Sequence, residues 1–505
     1  KLLIIGPSNL RKQWNRELAD KFYLPSVILE AKSFNNSIKE GNLNPFNQED
    51  TIIICSYHFA KNKAPYLKHI NWDLVIIDEA HRLRNVYKPS NKIGNGIKDA
   101  LDHCKKVLLT ATPLQNSILE LYGLVSLIDP YIFGDLKSFK SQFSRNIDEE
   151  NYTDLRNRLQ PICKRTLRRQ VLEYIKYTER KPLVQEYFPN EDETTLYNWV
   201  TDYLQRQKLY ALPFSQRQLM TLILRKLLAS STYAIYGTLD ALVKRLENII
   251  TNHNAIEEKD EMTIDFETYD EIQDEWESEE EDDSSTGSEE ADPDSYRDEE
   301  VVYTEEEIEE VKSELADLEK FRALAQRIRK NSKAEQLFTA LERGFTALES
   351  LGANQKALIF TESRRTQDFI CNLLEARGYA DKVVKFNGSN ADQKSKEIYA
   401  AYLKKHKGTD ILTGSLTADK RAAIVDYFKD EATIMVATEA AAEGINLQFC
   451  SLVINFDLPW NPQRIEQRIG RCHRYGQKYD VVVINFLNKA NAADQRVYEL
   501  LDQKF

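Results

Sequence analysis

A chain of 505 residues is too long for one compact core, and 42% hydrophobic with 29% charged residues is the composition of a globular protein. No apolar run approaches the roughly 20 residues that cross a bilayer, which excludes a membrane span, and six cysteines without a Cys-x-x-Cys pair exclude a zinc ribbon and read as reduced thiols of a cytosolic protein. The net charge of −12 argues against a polyanionic partner only until it is mapped: Glu257–Glu300 holds 23 acidic and 2 basic residues, leaving +9 on the remainder, the sign of a phosphate binder.

The chain opens without methionine inside the apolar run Leu2–Ile5 and closes within the helix-like Val497–Leu501, so it reads as a fragment. Apolar runs at Leu2–Ile5, Thr51–Cys55, Leu74–Ile77 and Val107–Leu109 end in small or polar residues and alternate with helical patterns, as in a parallel sheet buried on both faces. Helical spacing follows from about Glu191 to Ile250 and from Thr304 to Ser350. Between these helices the acidic stretch is too highly charged to pack; it reads as a solvated linker or as an autoinhibitory mimic of DNA phosphate. A second strand series comes at Ala357–Phe360, Thr433–Ala437, Leu452–Phe456 and Val481–Phe486. The expected domains are an α/β lobe over 1–190, a helical linker over 191–330 enclosing the acidic 257–300, and a second α/β lobe over 331–505.

Ligands gather at the carboxyl ends of parallel strands, and chemistry-bearing residues stand there. Asp78-Glu79-Ala80-His81 places two adjacent carboxylates at one strand end. Phosphoryl transfer needs such a division: one acid can hold Mg2+ through its water shell while the next orients and deprotonates the attacking water. A solvated turn uses the same residues, so the motif alone leaves both readings open. Downstream, Thr110-Ala111-Thr112-Pro113 offers hydroxyls that can bond the carboxylate pair, although Thr112 also suits a helix cap with Pro113 at the first position. Near the far end, Arg471 and Arg474 stand three apart, on one face of an expected helix; guanidinium groups suit the charge on a transferring phosphoryl group, or a solvated basic helix.

Together and in this order, these motifs resemble the Snf-type (SWI/SNF) family of helicase-like ATPases in helicase superfamily two, which includes chromatin remodellers and the bacterial RapA-like branch. Further likeness lies in Pro7–Leu10 with Gln13-Trp14, in Ser56-Tyr57, Leu114–Asn116, Arg165–Arg169 and Ile359–Glu362, in Thr438 with Gly444–Leu447, and in the ending His473-Arg474-Tyr475-Gly476-Gln477. The resemblance implies two RecA-like parallel-sheet lobes with helical insertions between them, driven by ATP and Mg2+ along the backbone of double-stranded DNA, in the cytoplasm or at a nucleoid. It makes Asp78 the magnesium-site acid, Glu79 the water-activating base, and Arg471 and Arg474 the arginine fingers, assisted by Gln467. Thr110, Thr112 and Gly444 would couple nucleotide state; Asn9, Ser56, Thr361, Thr438 and Asn446 would face the DNA backbone, and the helical insert could engage other proteins.

Two departures stand out. None of the 17 glycines is followed by lysine, so the phosphate-cradling loop is absent and is expected upstream of Lys1. Gly388-Ser389 is repeated at Gly414-Ser415, and the segment between them reads as an insertion. The competing functions are a strand-separating DExH helicase on RNA or DNA and a non-catalytic nucleic-acid scaffold.

Overall fold

The computed structural model describes residues 1–8, 10–111, 114, 117–143, 149–165, 177–206, 208–212, 217–252, 303–328, 330–409, 412, 416–439, 445–459, 462–489 and 495. The chain divides into two compact units, residues 1–174 with 403–419, and 175–402 with 420–505. The acidic 257–300 lies outside the described residues, as do Asn9, Thr112, Gly444, residues 166–169 and Gly414-Ser415.

In the first unit β1 (Leu2–Gly6), β2 (Ser26–Ile28), β3 (Ile52–Ser56), β4 (Leu74–Asp78) and β5 (Lys106–Leu109) form a sheet in the order β2-β3-β1-β4-β5, every pair parallel. Successive side chains take opposite faces. Leu3, Ile5, Ile53, Cys55, Val75 and Ile77 therefore pack in a core with Phe34, Phe46 and Trp72, while Ile4, Ile52 and Ile54 form another with Leu18 and Trp14. Burial on both sides explains why these runs are continuously apolar, each buried Ile or Leu contributing roughly 1.5–3 kcal/mol. The register sets Gly6 beside Ser56 and Asp78 beside Leu109, which brings Ser56, Asp78 and Thr110 to one edge of the sheet.

The segment after Asp78 is locked to the helix Ile118–Ile128. Arg84 pairs with the buried Glu120 at 3.3 Å, and the helix approaches so closely that a Cβ on Gly123 would lie 1.9 Å from the Arg84 carbonyl oxygen. Backbone cannot yield as a flexible side chain can. Gly123→Ala should therefore lower the stability of this unit by about 3 kcal/mol or more, beyond ordinary overpacking; a denaturation midpoint within error of wild type would refute the close approach.

The second unit contains β6 (Arg180–Tyr187), β7 (Ala357–Thr361), β8 (Val383–Phe386), β9 (Ile434–Thr438), β10 (Leu452–Asn455) and β11 (Val481–Asn488), ordered β6-β11-β10-β7-β9-β8 and parallel throughout. Two α/β lobes are thus present. The first does not run to residue 190, however: β6 pairs along all eight residues with β11, as an edge of the second sheet. An edge position also accommodates Pro182, which has no N–H to donate to a ladder.

Helices Glu191–Leu204, Arg217–Ser230, Thr232–Asn252 and Glu305–Arg327 gather a core of their own around Val200, Tyr203, Leu224, Leu246, Val311 and Leu318. Two of them begin with reciprocal capping boxes, Asn190 with Glu193 and Thr304 with Glu307, and carry acids in the first turn where the helix dipole favours them. The buried Glu314 carboxylate accepts the Tyr203 hydroxyl at 2.7 Å and the backbone N–H groups of Tyr210 and Ala211 at 2.8 and 3.1 Å. Among the described residues no helix is long and apolar enough to cross a membrane, and all six cysteines are free.

Candidate active site

β4 delivers Asp78 to the sheet edge, and the chain turns there through Glu79, whose φ of 54° lies in the left-handed region, before the 3-10 turn Ala80–Leu83. A glutamate in that conformation costs about 1–2 kcal/mol, and such strain concentrates where a side chain must be aimed. The Asp78 carboxylate accepts the Trp14 indole N–H at 2.7 Å and the Glu79 backbone N–H at 3.0 Å. Burial raises its pKa above the ordinary 3.8; the Trp14 hydrogen bond opposes that rise and the neighbouring Glu79 charge adds to it. His81 Nδ1 stands 3.3 Å from the Glu79 carboxylate and 3.4 Å from the Thr110 hydroxyl. Asp78, Glu79 and Thr110 are therefore brought together, with His81 between the last two. Ser56 sits at the same edge and caps the following helix, accepting the Phe59 N–H at 3.3 Å.

The donor set fits magnesium held mostly by water. Asp78 and Glu79 supply hard oxygens, half-exposed, and each Asp78 oxygen keeps a lone pair beyond its internal hydrogen bond. Among the described residues no group of three or more His, Cys, Asp or Glu side chains forms a dedicated metal cage.

In the second unit Thr361 and Thr438 end neighbouring strands but do not face solvent: both are buried, and the Thr361 hydroxyl donates to Asp457 at 2.6 Å. The two residues expected to face the DNA backbone are thus placed with their side chains inside the unit. Asp457 is a hub that the motifs did not single out. It also accepts the Ser230 hydroxyl and Lys333 ammonium, each at 2.7 Å, and the Glu362 N–H at 3.1 Å. Burial would raise this carboxyl, but Lys333 and the two hydroxyls outweigh it and hold the pKa below the ordinary 3.8. Its signal in the sequence was a lone acid directly after the strand Leu452–Phe456.

Arg468 is equally internal. It bonds Glu439 at 2.8 Å and the Asp457 carbonyl at 2.7 Å, and lies over the Phe360 ring at 5.1 Å, so it joins the ends of β7, β9 and β10. Burial pushes Glu439 up, yet Arg468 and Arg464 bring it below its usual 4.5.

The helix Pro462–Cys472 carries Gln467 and the buried Arg471, but it stops at Cys472. Arg474 thus lies beyond the helix, not on a shared helical face, with its Nε bonded to the Gly470 carbonyl at 2.8 Å. A glycine with φ of 97° at position 476 follows, a conformation suited to leaving a helix. Gln477 is structural: its side-chain oxygen accepts the N–H groups of Lys478 and Tyr479, and its amide donates to the Cys450 and Cys472 carbonyls, both at 3.1 Å. His473 is fixed as well. Arg180, which can only donate, bonds Nδ1 at 3.0 Å, so Nε2 carries the proton given to the Thr178 carbonyl at 2.6 Å. Asn446 is exposed and braced by Gln448, which reaches the Tyr475 carbonyl.

Comparison with known proteins matches residues 1–250 to the SNF2-related domain and residues 370–476 to the helicase conserved C-terminal domain. The chain thus contains an SNF2-related domain followed by a helicase conserved C-terminal domain, and is homologous to SNF2-family helicases. Among relatives of this SNF2-related chain, the uncharacterized ATP-dependent helicase YqhH of Bacillus subtilis is 28% identical over 509 residues, covering 100% of this chain and 69% of the relative. The ISWI chromatin-remodeling complex ATPase of Saccharomyces cerevisiae is 23% identical, over 99% of this chain and 35% of its own length. Human chromodomain-helicase-DNA-binding protein 6 is 24% identical, and the match spans only 15% of it. A solved structure of the Sulfolobus solfataricus SWI2/SNF2 ATPase core in complex with dsDNA aligns over 99% of this SNF2-related chain and 80% of that one, at 17% identity and a TM-score of 0.33.

Proposed function

We propose that this SNF2-related protein is an ATP-driven motor that tracks along double-stranded DNA and displaces or remodels proteins bound there. The observation that carries the reading is the carboxylate pair at the end of β4, with Glu79 held in a strained turn beside His81 and Thr110, in a chain with SNF2-related and helicase C-terminal domains. Asp78 would hold magnesium through water, and the bound ion would neutralise charge on the phosphates. Glu79 orients the attacking water and takes its proton. Arg471 and Arg474 are the cations for the charge that develops on the transferred phosphoryl group, with Gln467 assisting. Ser56 and the exposed Asn446 hold DNA phosphates without reading sequence, aided by a body that is basic once the acidic stretch is set aside.

Turnover also needs a phosphate-cradling Gly-Lys loop, which these 505 residues do not contain, so this chain alone should hydrolyse little ATP. The test therefore uses the full-length gene product. Its ATPase should be stimulated most by duplex DNA, and it should strip the third strand from a DNA triplex without separating the duplex. Stimulation by RNA with strand separation would favour a DExH helicase, and nucleic-acid binding without any turnover would make the protein a scaffold.

A further inference from the structure

Trp14 has no part in the roles assigned above, yet it makes the most direct side-chain contact with the Asp78 carboxylate. It lies on the helix Arg11–Phe22, and its ring packs against the sheet face formed by Ile4, Ile52 and Ile54 together with Leu18. The ring is thereby fixed, and its indole N–H, a donor with no acceptor capacity, meets Asp78 Oδ2 at 2.7 Å. Two further bonds complete the hold. The Glu79 N–H reaches Oδ1 at 3.0 Å, and the buried Tyr57 donates its hydroxyl to the Asp78 carbonyl at 2.5 Å. The carboxylate therefore cannot rotate without losing a hydrogen bond, and what it presents outward is one defined lone pair on each oxygen.

A cation that keeps its waters is sensitive to that direction, because a single carboxylate must meet a rigid octahedral shell. Groups that orient a ligating carboxylate typically change metal affinity by about 10–100-fold when removed. We propose that Trp14 is a positioning residue for magnesium, an inference that rests on the reading of Asp78 as the magnesium-site acid. The indole sets the plane of the carboxylate and ties it to the helix Arg11–Phe22.

Two variants of the full-length protein test this. Trp14→Phe removes the donor, and replacement of Trp14 by benzothienylalanine exchanges the N–H for sulfur while keeping the ring that packs on the sheet. Both should raise the magnesium concentration needed for half-maximal ATPase by about 10-fold or more, with kcat at saturating magnesium within about 2-fold of wild type. The second measurement is spectroscopic. The indole 15N–1H resonance that disappears in Trp14→Phe should shift when Mg-ATP is added, and should not shift in Asp78→Asn. An unchanged magnesium requirement in the benzothienylalanine protein, or a fall in kcat with that requirement unchanged, overturns the proposal while leaving the function intact. Magnesium-dependent turnover surviving in Asp78→Asn instead removes the reading on which it rests.

Discussion

Glu79→Gln should leave ATP and duplex DNA binding in the full-length protein near wild type while turnover falls on the order of 10²–10⁴-fold, the usual weight of a positioned base. The amide has the shape of the carboxylate but cannot accept the proton of the attacking water. It also inherits the same left-handed backbone, since neither residue tolerates φ of 54° better than the other, so the turn that aims the side chain is unaltered. What changes is the charge facing His81, 3.3 Å away. Equilibrium binding of nucleotide and DNA measured beside phosphate release separates the two effects. Turnover within a few-fold of wild type would show that Glu79 is not the base.

The second large effect belongs to Asp457, 5% exposed and bonded to Thr361, Ser230 and Lys333. Asp457→Ala strands the Lys333 ammonium in a buried site, and breaking a buried pair in this way costs about 3–5 kcal/mol, a large share of the 5–15 kcal/mol that holds a typical domain folded. The urea midpoint of the second unit should fall accordingly. Replacing both partners, Asp457→Leu with Lys333→Met, should recover much of the loss, because no uncompensated charge remains. A midpoint that Asp457→Ala leaves unmoved would mean that the hub carries no net stability. The pair also gives a pH dependence. With its folded pKa below 3.8, Asp457 contributes fully above about pH 4, and that contribution is lost as pH falls through the depressed value; Glu439 behaves likewise below its ordinary 4.5. Asp457→Asn should flatten the acid limb of the stability curve.

The two sheets were legible because their central strands, such as Leu74–Asp78 and Val481–Asn488, are covered on both faces and so read as unbroken apolar runs. The elements that escaped are edges. Ser26–Ile28 and Val383–Phe386 are too short to show a period, and Arg180–Tyr187 mixes charges and a proline with its apolar residues. Within the site, Asp78, Glu79 and Thr110 could be found because each stands next to a recognisable strand. A position at a strand end does not say whether a side chain meets solvent or, as with Thr361, a buried acid. The hub could not be assembled from spacing, since Asp457 stands 227 residues from Ser230 and 124 from Lys333.

The pairing of β6 with β11 has a consequence for synthesis on the ribosome. Glu179, at the head of β6, bonds Asp480, 301 residues later, and among the described residues the only neighbour of β6 in its sheet is β11. At translation speeds of about 5–20 residues per second, β6 emerges roughly 15–60 s before its partner exists. During that wait it is an unpaired strand on a nascent chain, open to pairing with any other. Pro182, the charged Arg180 and Lys181, and Glu186 make it a poor template for such errors, the devices by which natural edge strands avoid association. Changing Pro182 and Lys181 to β-branched residues would leave the finished sheet nearly untouched and yet lower the yield of native protein, a cost paid only while the chain is being made.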